Sequence, residues 1–239
     1  MQLDHYYHCA NQQLSFSRQQ ASDFAKQIAD DFNPLHDVTA KRFCVPGDLL
    51  FAVALKHYGL SQHMEFEFAG MVSESTHLLL AEPGDTLTLK DTNNKVYLNI
   101  SRRGNIIDDP TVISKLTQGY VTFSGHTFPH VLVPLMADQG VMINPARPMV
   151  MYERMVIDLD RNDFQKPVLR ANPQDTRLDI NGKRGKVRLA FDVMDGDVCK
   201  GRGEKHMLVS GLLPYVENTV ADLVSNYRIW KEKYAASTR

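Results

Sequence analysis

Residues 31–36 read Asp-Phe-Asn-Pro-Leu-His, which sets a carboxylate and an imidazole five positions apart across an Asn-Pro break. Pro34 has a fixed φ and no N–H, and it drives Asn33 out of the α region, so the chain must bend here. A bend lets the Asp31 and His36 side chains converge on one water molecule. Histidine's ordinary pKa of about 6.5 suits it to proton transfer at neutral pH, which makes the pair an acid/base centre in outline. The same residues also have a purely structural reading. Asn-Pro marks turns, Asp31 can end a helix, and His36 can sit half-buried with one hydrogen bond.

The flanking elements must position the pair. Ser15 to Asp31 reads as an amphipathic helix with Phe24, Ala25 and Ile28 at helical spacing, and it delivers the chain to Asp31. After Pro46-Gly47-Asp48 comes an apolar stretch from Leu49 to Tyr58, ended by Gly59, that reads as a buried helix. A helix apolar on nearly every side has to be wrapped, and a curved sheet is the natural wrapper. Residues 64–125 supply it. Strands are expected at Phe66 to Ala69, Thr86 to Leu89, Val96 to Ile100 and Tyr120 to Phe123, with Arg103-Gly104-Asn105 closing or bulging one connection.

The second half repeats this order loosely. A linker is expected near Gly125 to Pro129, then strands at Met149 to Asp160, Arg177 to Ile180, Lys186 to Val193 and Lys205 to Val209. Asn181-Gly182 and Asp195-Gly196 are hairpin signals, and Leu213 to Ala236 reads as a closing helix carrying Val216, Val220, Leu223, Tyr227 and Trp230. The simplest architecture is α+β: two units, each a curved antiparallel sheet around a central helix, sharing one sheet or packed face to face.

Composition narrows the function classes. Lys+Arg total 27 against 28 Asp+Glu, so there is no basic excess of the kind that binds nucleic acid through its phosphates, nor one for a membrane surface. No stretch approaches the roughly 18 apolar residues of a membrane span and the N-terminus lacks a leader pattern, so a cytoplasmic protein is expected. Cys9, Cys44 and Cys199 are widely spaced and odd in number, which fits reduced thiols. His5, His8 and Cys9 lack a further ligand, so no metal is expected there. Gly201-Arg202-Gly203 stands without the rest of a dinucleotide fingerprint, and no cofactor is expected. Arg102, Arg103, Lys115, Arg147, Arg184, Lys186 and Arg202 could include a phosphate patch, although scattered basic residues are ordinarily solvated surface.

Asp31-Phe32-Asn33-Pro34-Leu35-His36, then Phe43-Cys44-Val45-Pro46, an apolar helix, and Pro83-Gly84-Asp85-Thr86-Leu87 follow one another in an informative order. In this the chain resembles the MaoC-like group of hotdog-fold proteins, best known for the R-specific enoyl-CoA hydratases. The resemblance covers residues 20–90 and extends beyond them by architecture alone. It implies a double hotdog, with residues 1–125 carrying the motif and residues 126–239 forming a degenerate second unit. It also implies a homodimer, and acyl-coenzyme A or acyl carrier protein thioesters as partners. Asp31 and His36 match the family's catalytic pair, which activates water for addition to a 2-enoyl thioester. Asn33 matches the residue that shapes the turn. The start of the central helix at Gly47 and Asp48 would bind the thioester carbonyl through free N–H groups and the positive helix end.

The chain departs from the family pattern in ways that suggest a divergent branch. Asp30 stands where the family has glycine, and a second carboxylate there would raise the Asp31 pKa or repel an acidic ligand. The run from His36 to the helix is short, and Pro46-Gly47-Asp48 replaces a His-Gly pair, with Asp48 also readable as an N-cap or first-turn acid. The motif lies in the first half, whereas Ile143-Asn144-Pro145-Ala146-Arg147 in the second lacks a histidine. Three functions follow. The leading one is hydration or dehydration of 2-enoyl/3-hydroxyacyl thioesters, contrasted with a non-catalytic protein that binds an acyl thioester or a protein partner. A thioesterase using Asp48 is the third.

Overall fold

Pro46 starts and Gly59 ends the apolar helix, and between them Asp48 to Leu55 and Tyr58 are buried. In the computed structural model, which describes residues 1–161 and 163–237, the wrapping around this helix is nearly complete. The chain opens with β1 (His8–Ala10), β2 (Gln13–Ser15), α1 (Arg18–Asp23) and, after the candidate motif, α2 (Gly47–Tyr58). Strands β3 (Leu60–Phe68), β4 (Leu78–Leu79), β5 (Thr86–Lys90) and β6 (Val96–Ile107) follow. Next come three helices, α3 (Pro110–Gly125), α4 (Thr127–His130) and α5 (Leu132–Asp138). The second half adds β7 (Val141–Met142), β8 (Met149–Leu159), β9 (Pro167–Asn181), β10 (Arg184–Asp195), β11 (Val198–Ser210), β12 (Leu213–Pro214) and α6 (Glu217–Ser237).

Ten strands form one antiparallel sheet in the order β1-β2-β4-β5-β6-β3-β8-β11-β10-β9, and β7 pairs with β12 apart from it. Reading outward from the middle, β3-β6-β5-β4 and β8-β11-β10-β9 repeat one topology. The halves meet where β3 pairs with β8, His63 opposite Asp158 through Glu67 opposite Arg154. The fold is thus a double hotdog with one continuous sheet. The first half wraps α2, with Phe51, Phe66 and Tyr120 at the centre of the larger core. In the second, Leu132 and Met136 of α5 pack on Leu178, Val187, Leu189, Met207 and Val209 in a smaller core.

Several elements differ from expectation. Tyr120 to Phe123 belongs to α3 and is no strand. The Asp109 carboxylate accepts the Thr111 and Val112 N–H groups at 2.7 and 3.4 Å, Pro110 takes the first helical position, and Val112, Leu116 and Tyr120 are buried at helical spacing. An apolar run this short has no period of its own. The segment near Gly125 is no linker. A Cβ on Gly125 would lie 1.7 Å from the Ala29 carbonyl oxygen, and α4 occupies the following residues. The first helix starts later than Ser15 because a capping box between Ser17 and Gln20 sets its start, and it passes into a π turn ending at Ile28. Leu213 and Pro214 pair with β7, so the last helix begins at Glu217. Gly104, at φ 82°, lies within β6, where the register against β3 shifts between Ser61 and His63.

Candidate active site

The motif turn is built from the end of the first helix. The Asp31 N–H still bonds the Ala25 carbonyl at 2.8 Å, but Asp30 sits at φ 56°, in the left-handed region. The Asp31 carboxylate then accepts the Asn33 N–H at 2.9 Å, and the Asn33 side chain accepts the Leu35 N–H at 3.1 Å. Two successive side-chain turns fold the hexapeptide back on itself. Asn33 therefore shapes the turn through its side chain. The last helix clamps the result from outside. Tyr227 Oη donates to the Asp30 carbonyl at 3.1 Å and accepts the Phe32 N–H at 3.3 Å, and the rings of Tyr227 and Tyr234 meet buried Phe32 edge-on.

His36 Nδ1 lies 2.7 Å from the Cys44 carbonyl oxygen, and the Cys44 N–H bonds Leu35 O at 3.0 Å. A carbonyl only accepts, so Nδ1 carries a proton, and the neutral form of the ring presents its lone pair at Nε2. Nε2 stands 3.8 Å from Asp31 Oδ2. That gap is too long for a direct hydrogen bond. A water about 2.8 Å from both atoms would subtend roughly 85° at its oxygen, close enough to donate to each. The Asp31 side chain keeps 25% of its surface accessible and His36 12%, so the pair is enclosed yet open to a water-sized molecule. Burial is the main influence on the Asp31 carboxyl and raises its pKa, against the pull of His36, the Asn33 N–H and Lys205; Asp48 adds a smaller push upward.

Asp30 does not load this site. Its carboxylate turns away to His126 Nε2, at 3.0 Å, and to Lys231 Nζ. The expected repulsion from a second adjacent carboxylate is thereby corrected, because the left-handed backbone at Asp30 points its side chain to the other side of the turn.

Asp48 lies in the first turn of α2, but the N-cap is Pro46 and no side chain caps the helix, so the N-cap reading of Asp48 fails. Its buried side chain turns inward, accepting Ser124 Oγ–H at 2.5 Å with Lys205 Nζ 3.6 Å away. Lys205 Nζ in turn donates to Ser124 Oγ and lies 4.0 Å from the centre of the Tyr152 ring. Tyr120 and Tyr152 join hydroxyls, and burial pushes both phenols well above their ordinary pKa. The Tyr152 ring also closes over the start of α2, where a Cβ on Gly47 would lie 2.6 Å from it. Ser124, Tyr120, Tyr152 and Lys205 were not singled out in the sequence. Lys205 had a signal, since it shares strand parity with Gly203, Met207 and Val209 on the inward face of β11.

A cleft of about 320 Å³ lies against the outside of the turn, lined by Phe32, Asn33, Pro34, Trp230, Lys233 and Tyr234 among others. Arg102 is no phosphate ligand. It is buried and donates to the Tyr58 carbonyl at 2.5 Å and the Gly84 carbonyl at 2.7 Å, closing the end of α2. Among the described residues no group of three or more His, Cys, Asp or Glu side chains is placed to hold a metal ion, and no helix is long and apolar enough to cross a membrane.

A family model described as "Protein of unknown function (DUF3581)" matches residues 1–218. The chain belongs to the DUF3581 family. No protein with a curated description matches this DUF3581 chain. Solved structures similar to it include the acyl-CoA thioesterase II TesB2 from Mycobacterium marinum, at 10% identity over 87% of this chain and 97% of that one, with a TM-score of 0.40. A protein described as a MaoC-like dehydratase gives 9% identity over 85% and 98% of the two chains, with a TM-score of 0.42. A conserved protein of unknown function with a hotdog fold from Alicyclobacillus acidocaldarius gives 10% identity over 90% and 99%, with a TM-score of 0.40.

Proposed function

We propose that this DUF3581 chain is a MaoC-like hydratase/dehydratase acting on 2-enoyl and 3-hydroxyacyl thioesters of coenzyme A or acyl carrier protein. One observation carries the reading: Asp31 Oδ2 and His36 Nε2 stand 3.8 Å apart, with the imidazole held by the Cys44 carbonyl so that its basic nitrogen faces the carboxylate. In the hydration direction, water held by both forms its C–O bond at the β-carbon as one member of the pair takes its proton. That proton returns to the α-carbon, so nothing is consumed but the water. Asn33 keeps the pair converged. The N–H groups of Gly47 and Asp48, free of any side-chain cap, are the candidate donors to the thioester carbonyl oxygen as it gains charge. Residues 1–125 carry the pair, and residues 126–239 wall the site.

The test is incubation with crotonyl thioesters of several chain-length homologues, following loss of enoyl absorbance. Native turnover that falls by about 100-fold or more in His36→Ala supports the reading. No native turnover with any homologue leaves a non-catalytic acyl-thioester-binding protein. Release of free thiol from a saturated acyl thioester, abolished in Asp48→Asn, makes the protein a thioesterase instead. The structure gives that last reading less support, because the Asp48 carboxylate is already engaged by Ser124 and Lys205.

A further inference from the structure

The cleft on the outer side of the motif turn has no part in the acid/base reading. It encloses about 320 Å³, at the small end of ligand sites, which suits one planar group and its substituents better than a whole cofactor. Two elements build it. The turn supplies Phe32, Asn33 and Pro34, and α6 supplies Trp230, Lys233 and Tyr234, at the i, i+3 and i+4 spacing of one helix face.

The aromatic wall is fixed in advance. Tyr234 Oη accepts the Gln27 amide at 2.9 Å, its ring meets buried Phe32 edge-on at 5.8 Å, and Lys26 Nζ stands 5.3 Å from the ring centre. Beside it Trp230, the single tryptophan of the chain, is 43% exposed, so an indole face is open to a flat partner. Lys26 and Asp37, also in the wall, form an ion pair at 3.1 Å and offset one another. Lys233 is exposed and has no carboxylate partner among the described residues, so the lining carries a net positive charge. Asn33 Oδ1 is engaged by the Leu35 N–H, which leaves the amide NH₂ as a donor near the Asp37 acceptor. Adenine presents the complement, an amino donor beside a ring-nitrogen acceptor.

We propose that this cleft is an adenine-nucleotide site, with the base against Trp230, its amino edge toward Asp37 and Asn33, and a phosphate at Lys233. The site stands on this geometry. The assignment of its ligand as the nucleotide end of a coenzyme A thioester rests on the hydratase reading. A contact joins the two sites, since Asn33, a wall of the cleft, donates its N–H to the Asp31 carboxylate at 2.9 Å.

The test titrates the full chain with coenzyme A, ADP, AMP and, as the nucleotide-free control, pantetheine, following the fluorescence of Trp230 and the heat of binding. Saturable quenching by the nucleotides and none by pantetheine is expected. Lys233→Glu, a change at an exposed side chain, should weaken binding about tenfold, and Trp230→Leu, read by calorimetry, about fivefold or more. Tighter binding of coenzyme A than of ADP and AMP supports the assignment to the thioester carrier. The reverse order supports the site with a free nucleotide as its ligand and overturns that assignment. No saturable response to any nucleotide, unchanged affinity in both variants, or quenching by an acidic acyl carrier protein alone overturns the proposal. In the enoyl assay the KM for crotonyl-coenzyme A should rise about tenfold in Lys233→Glu, with the loss in KM and not in kcat. Nucleotide binding without turnover refutes the hydratase reading and leaves the site standing; turnover without nucleotide binding does the reverse.

Discussion

Asp31→Asn is expected to abolish activity and to stabilise the fold. The Asp31 carboxyl is raised chiefly by burial. Between the ordinary value of 3.8 and its folded value, the native state holds a proton that the unfolded chain has released. Stability therefore falls as pH rises through that window, and above it the full cost of the enclosed charge is present. Asparagine has the same shape, keeps an oxygen to accept the Asn33 N–H, and carries no charge. Removing an active-site strain of this kind commonly yields about 1 kcal/mol, worth about 2–4 °C in Tm for a chain of this size. The gain should be present at pH 7 and shrink toward zero below pH 4, where aspartate is neutral in both states. On the proposed hydratase reading, loss of the Asp31 carboxylate should lower kcat/KM by about 100- to 10,000-fold. Calorimetry at several pH values, beside the crotonyl assay, reads both. A variant less stable than the native protein at pH 7, or one that keeps its turnover, refutes the reasoning.

Tyr227→Phe removes one hydroxyl that serves two backbone groups and leaves the buried Phe32 N–H without that partner, so about 1–3 kcal/mol should be lost in urea unfolding. Asp30→Ala should cost about 1–2 kcal/mol, whereas Asp30→Gly, which takes φ 56° freely, should lie within about 1 kcal/mol of native by the same measurement. Thiol labelling of the native protein at pH 8 should modify Cys9 and Cys199, both exposed, and spare Cys44, whose thiol burial pushes up to about 11.

The sequence was most legible where a local signal and the tertiary demand agreed. The apolar run of α2 announced both a helix and its wrapping, and the glycine hairpins set β10 between its neighbours. The hexapeptide disclosed its own bend, because Asn33 and Pro34 act through the backbone within a few residues. Legibility failed where one residue type served two geometries. Tyr120 to Phe123 has strand-forming side chains, yet the Asp109-Pro110 cap ten residues upstream had already committed the segment to a helix. It failed again for partners supplied from afar. Nothing near residue 31 announces Tyr227, and nothing near Asp48 announces Ser124 or Lys205; only the parity of a lysine among inward residues of β11 hinted at the last.

Asp30 shows how these distant partners reshape a short motif. A glycine would reach φ 56° at no cost, and an aspartate there needs compensation of about 1–2 kcal/mol. The compensation comes from the C-terminal helix and from the residue after α3, through Lys231 and His126 on its carboxylate and Tyr227 on its carbonyl. The residue that looked most damaging to the site thus ties the motif turn to α6. A segment ending before α6 would retain Asp31, Asn33 and His36 in sequence but lose the hydroxyl that holds the turn's outer side. A segment ending before β11 would also lose Lys205, the cation beside Asp48. The acid/base geometry is accordingly a property of the motif turn and the closing helix together, although every atom that would touch the water comes from residues 31–36.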